Sequence, residues 1–260
     1  MVPQMVGMLE SFFGINKKDR PGRESLVPEG KRVYAVGDIH GRPDLLIKLH
    51  EMIQADAATR PEAENIIVYL GDYVDRGHDS RGVLDILCHR PLIGFKSIHL
   101  MGNHEDFMVR FLEEPKLGPP WIINGGNATL LSYGVSMQQI YNEAALKDAR
   151  NRLMSRLPPP HWAFLHGLKT HHIEGDFLFV HAGVRPGVPT VEQSAQDMMW
   201  IRDDFLNSDA EHDHVVVHGH SINPKAEILD NRIGIDTGAY ATGRLTCLIL
   251  DGNKKDLINT

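Results

Sequence analysis

Five short segments deliver carboxylate, amide or imidazole side chains directly after an apolar run, with a glycine close by. They are VYAVGDIHG with Asp38 and His40, VYLGDYVDRG with Asp72, Asp75 and Arg76, IHLMGNHE with Asn103 and His104, FLFVHAG with His181, and VVVHGH with His218 and His220. A carboxylate at the end of a buried strand is costly unless something cationic meets it. Helix capping accounts for an isolated Asp38 or Asp72, and a surface ion pair accounts for an isolated Asp75–Arg76. Five recurrences of the same donor types are not explained that way, and they point to bound metal. Mixed aspartate, asparagine and histidine donors suit iron, manganese or zinc, whereas magnesium favours oxygen alone. The donors are too many for one tetrahedral ion. Two divalent ions sharing a carboxylate would use them all.

Strand signals precede these segments and helix signals follow several of them. Residues 31–36, 65–70 and 96–101 read as strands, and residues 44–58 put Leu45, Leu46, Leu49, Met52 and Ile53 on one helical stripe. Residues 80–89 read as a helix, and another follows GNHED through Phe107, Met108 and Phe111. Over residues 117–169 the pattern becomes that of a helical insertion. There PPWIINGGNATLLSYG reads as loop and then helix, and residues 138–157 carry Leu146, Ala149, Leu153 and Leu157 at helical spacing until PPP stops the run. Strands return with DFLFVHAG, HVVVHGH, NRIGID and RLTCLILDG. The expected class is α/β, with a mixed sheet or a pair of sheets and helices outside. Parallel strands ending side by side would gather the donors along one crevice. Residues 1–30 form the expected lead-in, of which 16–30 look polar and flexible, before one domain over 31–260.

Composition narrows the classes. The chain has 260 residues, 42% hydrophobic and 23% charged, enough for a large buried core. A formal charge of −7 argues against nucleic acid or an acidic membrane as partner. The two cysteines, Cys88 and Cys247, lie in apolar sequence and suggest neither a disulfide framework nor a zinc site, so a cytoplasmic location is expected. The segment MVPQMVGMLESFFGI lacks a basic leader and a long apolar run, and a short packed helix is the expectation there.

GDIHG, GDYVDRG, GNHE, HAG and the later GHS resemble the signature series of the calcineurin-like metallophosphoesterases. The unbroken GDxVDRG resembles more narrowly the phosphoprotein phosphatase family, and MMWIRDD, WIINGG and IDTGAYATGRLT resemble its small bacterial and phage lambda type members. The resemblance runs from residue 33 to about residue 250. It implies a central β-sandwich flanked by helices and two divalent metal ions, manganese, iron or zinc. It also implies that Asp38, His40 and Asp72 hold the first ion, and that Asp72 bridges to a second held by Asn103, His181 and one histidine of HGH. Spacing does not choose between His218 and His220. The family's GHS alignment favours His220 and leaves His218 a supporting or structural place.

Two such ions would lower the pKa of a shared water and polarise phosphoryl oxygens. Arg76 and Arg202 are the expected guanidinium partners of the phosphate, with Asn103 and Tyr240 also lining its pocket. His104 is the expected proton donor to the leaving alkoxide, held cationic by Asp75. The implied activity is that of a phosphomonoesterase acting on phosphoserine or phosphothreonine in proteins, with phosphotyrosine as a further substrate. Its partner is then a phosphorylated protein or peptide, or a small phosphoester. The rival is a symmetrical diadenosine tetraphosphate hydrolase or another metallophosphodiesterase. HLMGNHE lacks the arginine common before GNHE in protein phosphatases, which favours the rival. Asp75 counts against it, because the dinucleotide enzymes typically replace that residue. A phosphate-binding module without activity would need a broken ligand set, and none is broken.

Overall fold

The computed structural model describes residues 25–136 and 142–260. The short helix expected near the N-terminus, and the first residues of the helical run expected from 138, lie outside them.

Alternation along the strands dictates the layers. The strands are β1 (Lys31–Val36), β2 (Glu64–Tyr69), β3 (Phe95–His99), β4 (His171–Glu174), β5 (Phe177–Val180), β6 (Val215–His218), β7 (Glu227–Ile228), β8 (Arg232–Gly234), β9 (Thr246–Asp251) and β10 (Lys254–Asn259). In β1, Val33 and Ala35 face one way and Tyr34 and Val36 the other, and all four are fully buried. A strand that is apolar on both faces must be covered on both. One sheet runs β10-β9-β1-β2-β3, parallel from β1 to β3, and the other runs β4-β5-β6-β8-β7, parallel from β5 through β8. Val33, Ala35, Ile66, Val68 and Ile98 of the first sheet meet Phe177, Phe179, Val215, Val217 and Ile233 of the second. Burial of each such side chain contributes roughly 1.5–3 kcal/mol. A one-residue slip of β2 against β1, where Val33 opposes Ile66, would turn the inner set outward. Tyr34, Val36, Ile67 and Tyr69 pack beneath helices on the outer face of the first sheet. Leu178, Val180 and Val216 meet Met198, Ile201 and Phe205 on the outer face of the second. The fold is a β-sandwich flanked by helices, as the resemblance implies.

The helices start where their sequences supply a start. In α1 (Pro43–Thr59) a proline occupies the first turn, where its missing N–H costs nothing. In α2 (Ser80–His89) the Asp79 side chain accepts from Gly82 N at 2.8 Å. Neither Asp38 nor Asp72 therefore caps the helix that follows it. In α3 (Asn103–Glu113), Glu105 reaches back to Gly102 N at 3.1 Å.

The stretch 117–169 contains α4 (Gly118–Trp121), α5 (Asn127–Ser132), α6 (Glu143–Arg156) and α7 (Pro159–His166). WIINGG, expected as loop, instead continues in helical turns from α4 to α5, interrupted at Gly125 with φ 119°. PPP does more than stop α6: Pro158 is the N-cap of α7, and Pro159 and Pro160 form its first turn. The remaining helices are α8 (Ala195–Trp200), α9 (Asp203–Leu206) and α10 (Ala239–Thr242). The described part of the polar lead-in is docked. Leu26 N donates to Asp176 Oδ2 at 2.9 Å, Val27 N donates to Gly252 O at 3.1 Å, and Val27 is buried. Among the described residues no helix is long and apolar enough to cross a membrane.

Candidate metal centre

Asp38 and His40 follow β1, Asp72 to Arg76 follow β2, and Asn103 and His104 open α3 after β3. His181 and His220 follow β5 and β6 of the facing sheet. At several of these points the chain turns through left-handed backbone. Among the described residues the non-glycine positions with positive φ are His40 (44°), Asp72 (51°), Asp75 (74°), Arg76 (66°) and His220 (62°). Each such conformation costs on the order of 1–3 kcal/mol, and strain of this kind gathers at functional sites. The turns also touch: a Cβ on Gly77 would lie 2.0 Å from His40 O, so only glycine fits there.

Hydrogen bonding fixes the ring orientations. His40 Nδ1 lies 2.8 Å from Val74 O, and His181 Nδ1 lies 2.9 Å from Leu70 O. A carbonyl only accepts, so both rings carry their proton on Nδ1 when neutral and present an Nε2 lone pair to Asp72, each at 3.4 Å from one of its oxygens. Arg76 Nη1, which can only donate, sits 2.6 Å from His40 Nε2, so a cation already faces that lone pair. Asn103 Oδ1 lies 3.0 Å and His220 Nδ1 3.2 Å from His181 Nε2. Ligand atoms of His40, Asp72 and His104 lie within 4.8 Å of one another, as do those of Asp72, His181 and His220. Asp72 is common to both groups. Asp38 belongs to neither group but is buried beside the second, accepting from His220 N at 3.2 and 3.0 Å.

The electrostatics are those of crowded acceptors. Burial first, and then the neighbouring Asp236 carboxylate, push the Asp38 carboxyl well above the usual range. Burial opposes the Asp72 charge too, but His181, His104 and His40 outweigh it and hold that carboxyl well below its ordinary value. Burial keeps His40 neutral, with its pKa lowered to about 3. Burial works against a charge on His181, yet the Asp72 carboxylate wins and raises its pKa to about 9. A proton on His181 is one way to hold these lone pairs together, and a divalent cation is the other. The donor set fits the second. It mixes oxygen and imidazole, shares one carboxylate between two groups, and leaves His220 Nε2 and Asp236 Oδ2 buried without a hydrogen-bond partner.

A buried histidine–carboxylate pair adjoins the cluster. His104 Nδ1 is 2.6 Å from Asp75 Oδ2, and both side chains are buried. Trp121 Nε1 donates to the same oxygen at 2.8 Å and Thr129 Oγ1 donates to Asp75 Oδ1 at 2.6 Å. Burial raises the Asp75 pKa, whereas His104, Thr129 and Trp121, which set donors against both oxygens, favour its charged form. Burial opposes a charge on His104, but Asp72 and Asp75 overcome it and raise its pKa. Its Nε2 lies 3.9 Å from Asp72 Oδ2, facing the cluster. Asp75 is thus no partner of a surface ion pair.

The guanidinium of Arg76 lies over the Tyr240 ring, 5.2 Å from its centroid, and that ring meets His40 edge-on at 5.4 Å. Arg202 is exposed, but its charge reaches His220 and helps lower that ring's pKa, after the larger effects of burial and of His181. His218 turns away: it packs edge-on against Phe205 at 5.1 Å, with Nδ1 3.1 Å from Gly219 O.

Sequence reasoning gave no role to Glu105, Trp121, Thr129 or Asp236. Glu105 accepts from the backbone N–H groups of Asp72, Tyr73, Val74 and Gly102 at 2.8, 2.8, 3.1 and 3.1 Å. It shapes the turn that carries Asp72. Its place in GNHE was the available signal.

Residues 31–251 match the family model described as calcineurin-like phosphoesterase. A human serine/threonine-protein phosphatase with EF-hands 1 is 40% identical over 80 residues, 30% of this chain and 12% of that protein. The chain thus spans only about an eighth of that relative. A symmetrical bis(5'-nucleosyl)-tetraphosphatase of Legionella pneumophila is 29% identical over 153 residues, 59% of this chain and 45% of the relative. Serine/threonine-protein phosphatase 2 of Salmonella typhimurium is 23% identical over 224 residues, 83% of this chain and 91% of the relative. Among solved structures, a protein provisionally named a diadenosine tetraphosphatase superposes with a TM-score of 0.57 at 20% identity, covering 90% of this chain and 96% of that one. A mutant of a cold-active protein tyrosine phosphatase superposes with a TM-score of 0.54 at 18% identity, covering 91% and 80%. These structural likenesses speak to the fold.

Proposed function

Since the chain belongs to the calcineurin-like phosphoesterase family, we propose that this hydrolase is a dinuclear phosphomonoesterase whose substrates are phosphorylated proteins or peptides. Asp38, His40 and Asp72 hold one divalent ion, and Asp72, Asn103, His181 and His220 hold the other. Manganese, iron and zinc all suit these donors. When bound, such a pair supplies the Lewis acidity that ionises water near neutral pH and polarises phosphoryl oxygens.

The chain's own residues do the rest. Arg76 and Arg202 offset the charge of the phosphate dianion, and the fork of a guanidinium matches two phosphate oxygens at once. Tyr240 braces Arg76 from below. His104 carries its transferable proton on Nε2, because Nδ1 is taken by Asp75. That proton passes to the leaving alkoxide, and Asp75, fixed by Trp121 and Thr129, stabilises the imidazolium beforehand.

The observation that carries the phosphomonoester reading is this buried Asp75–His104 pair. An alkoxide of serine or threonine is a poor leaving group and needs a proton, whereas a nucleotide phosphate leaves without one. The competing reading, hydrolysis of a diadenosine polyphosphate, is favoured by Leu100 and Met101 standing before GNHE where protein phosphatases commonly have arginine. Comparing kcat/KM for phosphoserine, phosphothreonine and phosphotyrosine peptides with that for diadenosine tetraphosphate decides between them. At least a tenfold preference for a peptide is expected. A preference for the dinucleotide would overturn the substrate while leaving the metal centre intact.

A further inference from the structure

A second group of metal-ligating side chains lies away from the strand ends, where α2 meets α7. Asp85 and His89 are four residues apart on α2 and so share one helix face. His161 approaches them from the first turn of α7. One ligand atom from each of the three lies within 4.8 Å of the other two. His161 Nε2 is 3.0 Å from Asp85 Oδ1, and the rings of His89 and His161 have centroids 6.5 Å apart.

We propose that Asp85, His89 and His161 form a zinc-type divalent cation site that ties α2 to α7, separate from the strand-end cluster. Three features carry the inference beyond proximity. First, His161 is completely buried and its Nδ1 is held by the Tyr133 hydroxyl at 2.7 Å, which aims Nε2 at Asp85. A ligand histidine held through its other nitrogen is the usual arrangement around zinc. Second, the donors are one carboxylate and two imidazoles, a set zinc accepts with an open position left for water. Third, His89 lies in the last turn of α2, where the carbonyl end of the helix favours positive charge. Burial also keeps His161 neutral, the state a metal requires.

The bland alternative is a hydrogen-bonded relay. Tyr133 O–H donates to His161 Nδ1, and His161 Nε2–H donates to Asp85. That relay satisfies His161 without an ion, but it gives His89 nothing to do. Binding an ion moves the His161 proton to Nδ1, where the Tyr133 oxygen accepts it. The nearby cation is Arg81, whose Nε is 3.9 Å from Asp85 Oδ2 with both side chains about half exposed. A pair so exposed is worth little, and a dication displaces it. The ion would cross-link the helix that begins just after the Asp75 turn to a helix some seventy residues on, and so raise stability more than activity.

His161 is buried, so its replacement could unfold the chain; His89 is exposed, and His89→Gln is the informative variant. Full-length wild type and His89→Gln are stripped with chelator, equilibrated with zinc, passed over a desalting column, and assayed for zinc per chain and for melting temperature. Subtracting the two cancels whatever the catalytic cluster holds. The expected result is one fewer tightly held zinc in the variant, a zinc-dependent rise in melting temperature that only wild type keeps in full, and equal turnover on a small phosphoester. Equal zinc content and equal thermal response in the two proteins would overturn the site.

Discussion

At the level of single residues, the chemistry turns on who holds which proton. In the proposed function His104 Nε2 is the proton donor, with Nδ1 taken by Asp75 and Asp75 fixed by Trp121 and Thr129. His104→Asn should lower kcat on an alkyl phosphate by roughly 10²–10⁴, while an aryl phosphate with a good leaving group loses far less. Equal losses on both substrates would remove the proton-donor role. Glu105 is the residue whose importance a linear reading does not reveal. Its carboxylate satisfies four backbone N–H groups, and Glu105→Ala strands them in a buried turn. The expected cost is at least about 3 kcal/mol in urea unfolding, together with weaker metal retention. A variant as stable as wild type would contradict it. The convergence of Asp38, His40, Asp72, Asn103 and His181 was legible because each follows an apolar run in its own segment. The partners of Asp75 were not, since Trp121 and Thr129 come from 46 and 54 residues further along the chain.

Among the elements, what matters is the set of left-handed turns at the strand ends. Sequence showed glycines at the turns, but it gave no sign that His40, Asp72, Asp75, Arg76 and His220 are themselves left-handed. Their strain is held by contacts between turns, and such contacts are invisible in a linear pattern. The helical turns around Gly125 are part of that support. Gly125 O accepts from Arg76 N at 3.2 Å, and a Cβ on Gly125 would lie 2.8 Å from Arg76 Cγ. Gly125→Ala should therefore displace Arg76 and raise KM for a phosphate ester several-fold while metal content stays the same. An unchanged KM would uncouple that segment from the phosphate. Strands with buried alternation were read to within a residue or two at most ends. β10 escaped because KKDLIN is a largely exposed edge strand with little periodic signal, although the Gly252 turn before it was there to see. WIINGG was misjudged for a related reason: two glycines suggest a loop, yet one of them only breaks a helix.

Across the whole molecule, two sheets packed face to face bring donors 182 residues apart into contact, as when His220 N meets the Asp38 carboxylate. The helix layer over the outer face of the first sheet contributes to the acid stability. His50 of α1 is buried against Tyr69, 2.8 Å from its hydroxyl, and burial lowers its pKa to about 4. Below the ordinary histidine value of about 6.5 the unfolded chain takes up a proton that the folded chain refuses until about pH 4. Stability present above 6.5 is thus lost as pH falls through that window, by up to about 3 kcal/mol from this residue. Urea melts at pH 7.5 and pH 5 should show the loss in wild type and a smaller one in His50→Gln; identical pH dependence would clear His50 of the effect. The proposed chemistry nevertheless depends on Asp72 being shared between two cations, and anomalous diffraction from crystals of the manganese-loaded protein tests that directly. Two peaks should flank the Asp72 carboxylate, one toward Asp38 and His40 and the other toward Asn103, His181 and His220. A single peak there, or manganese bound only elsewhere, would contradict it.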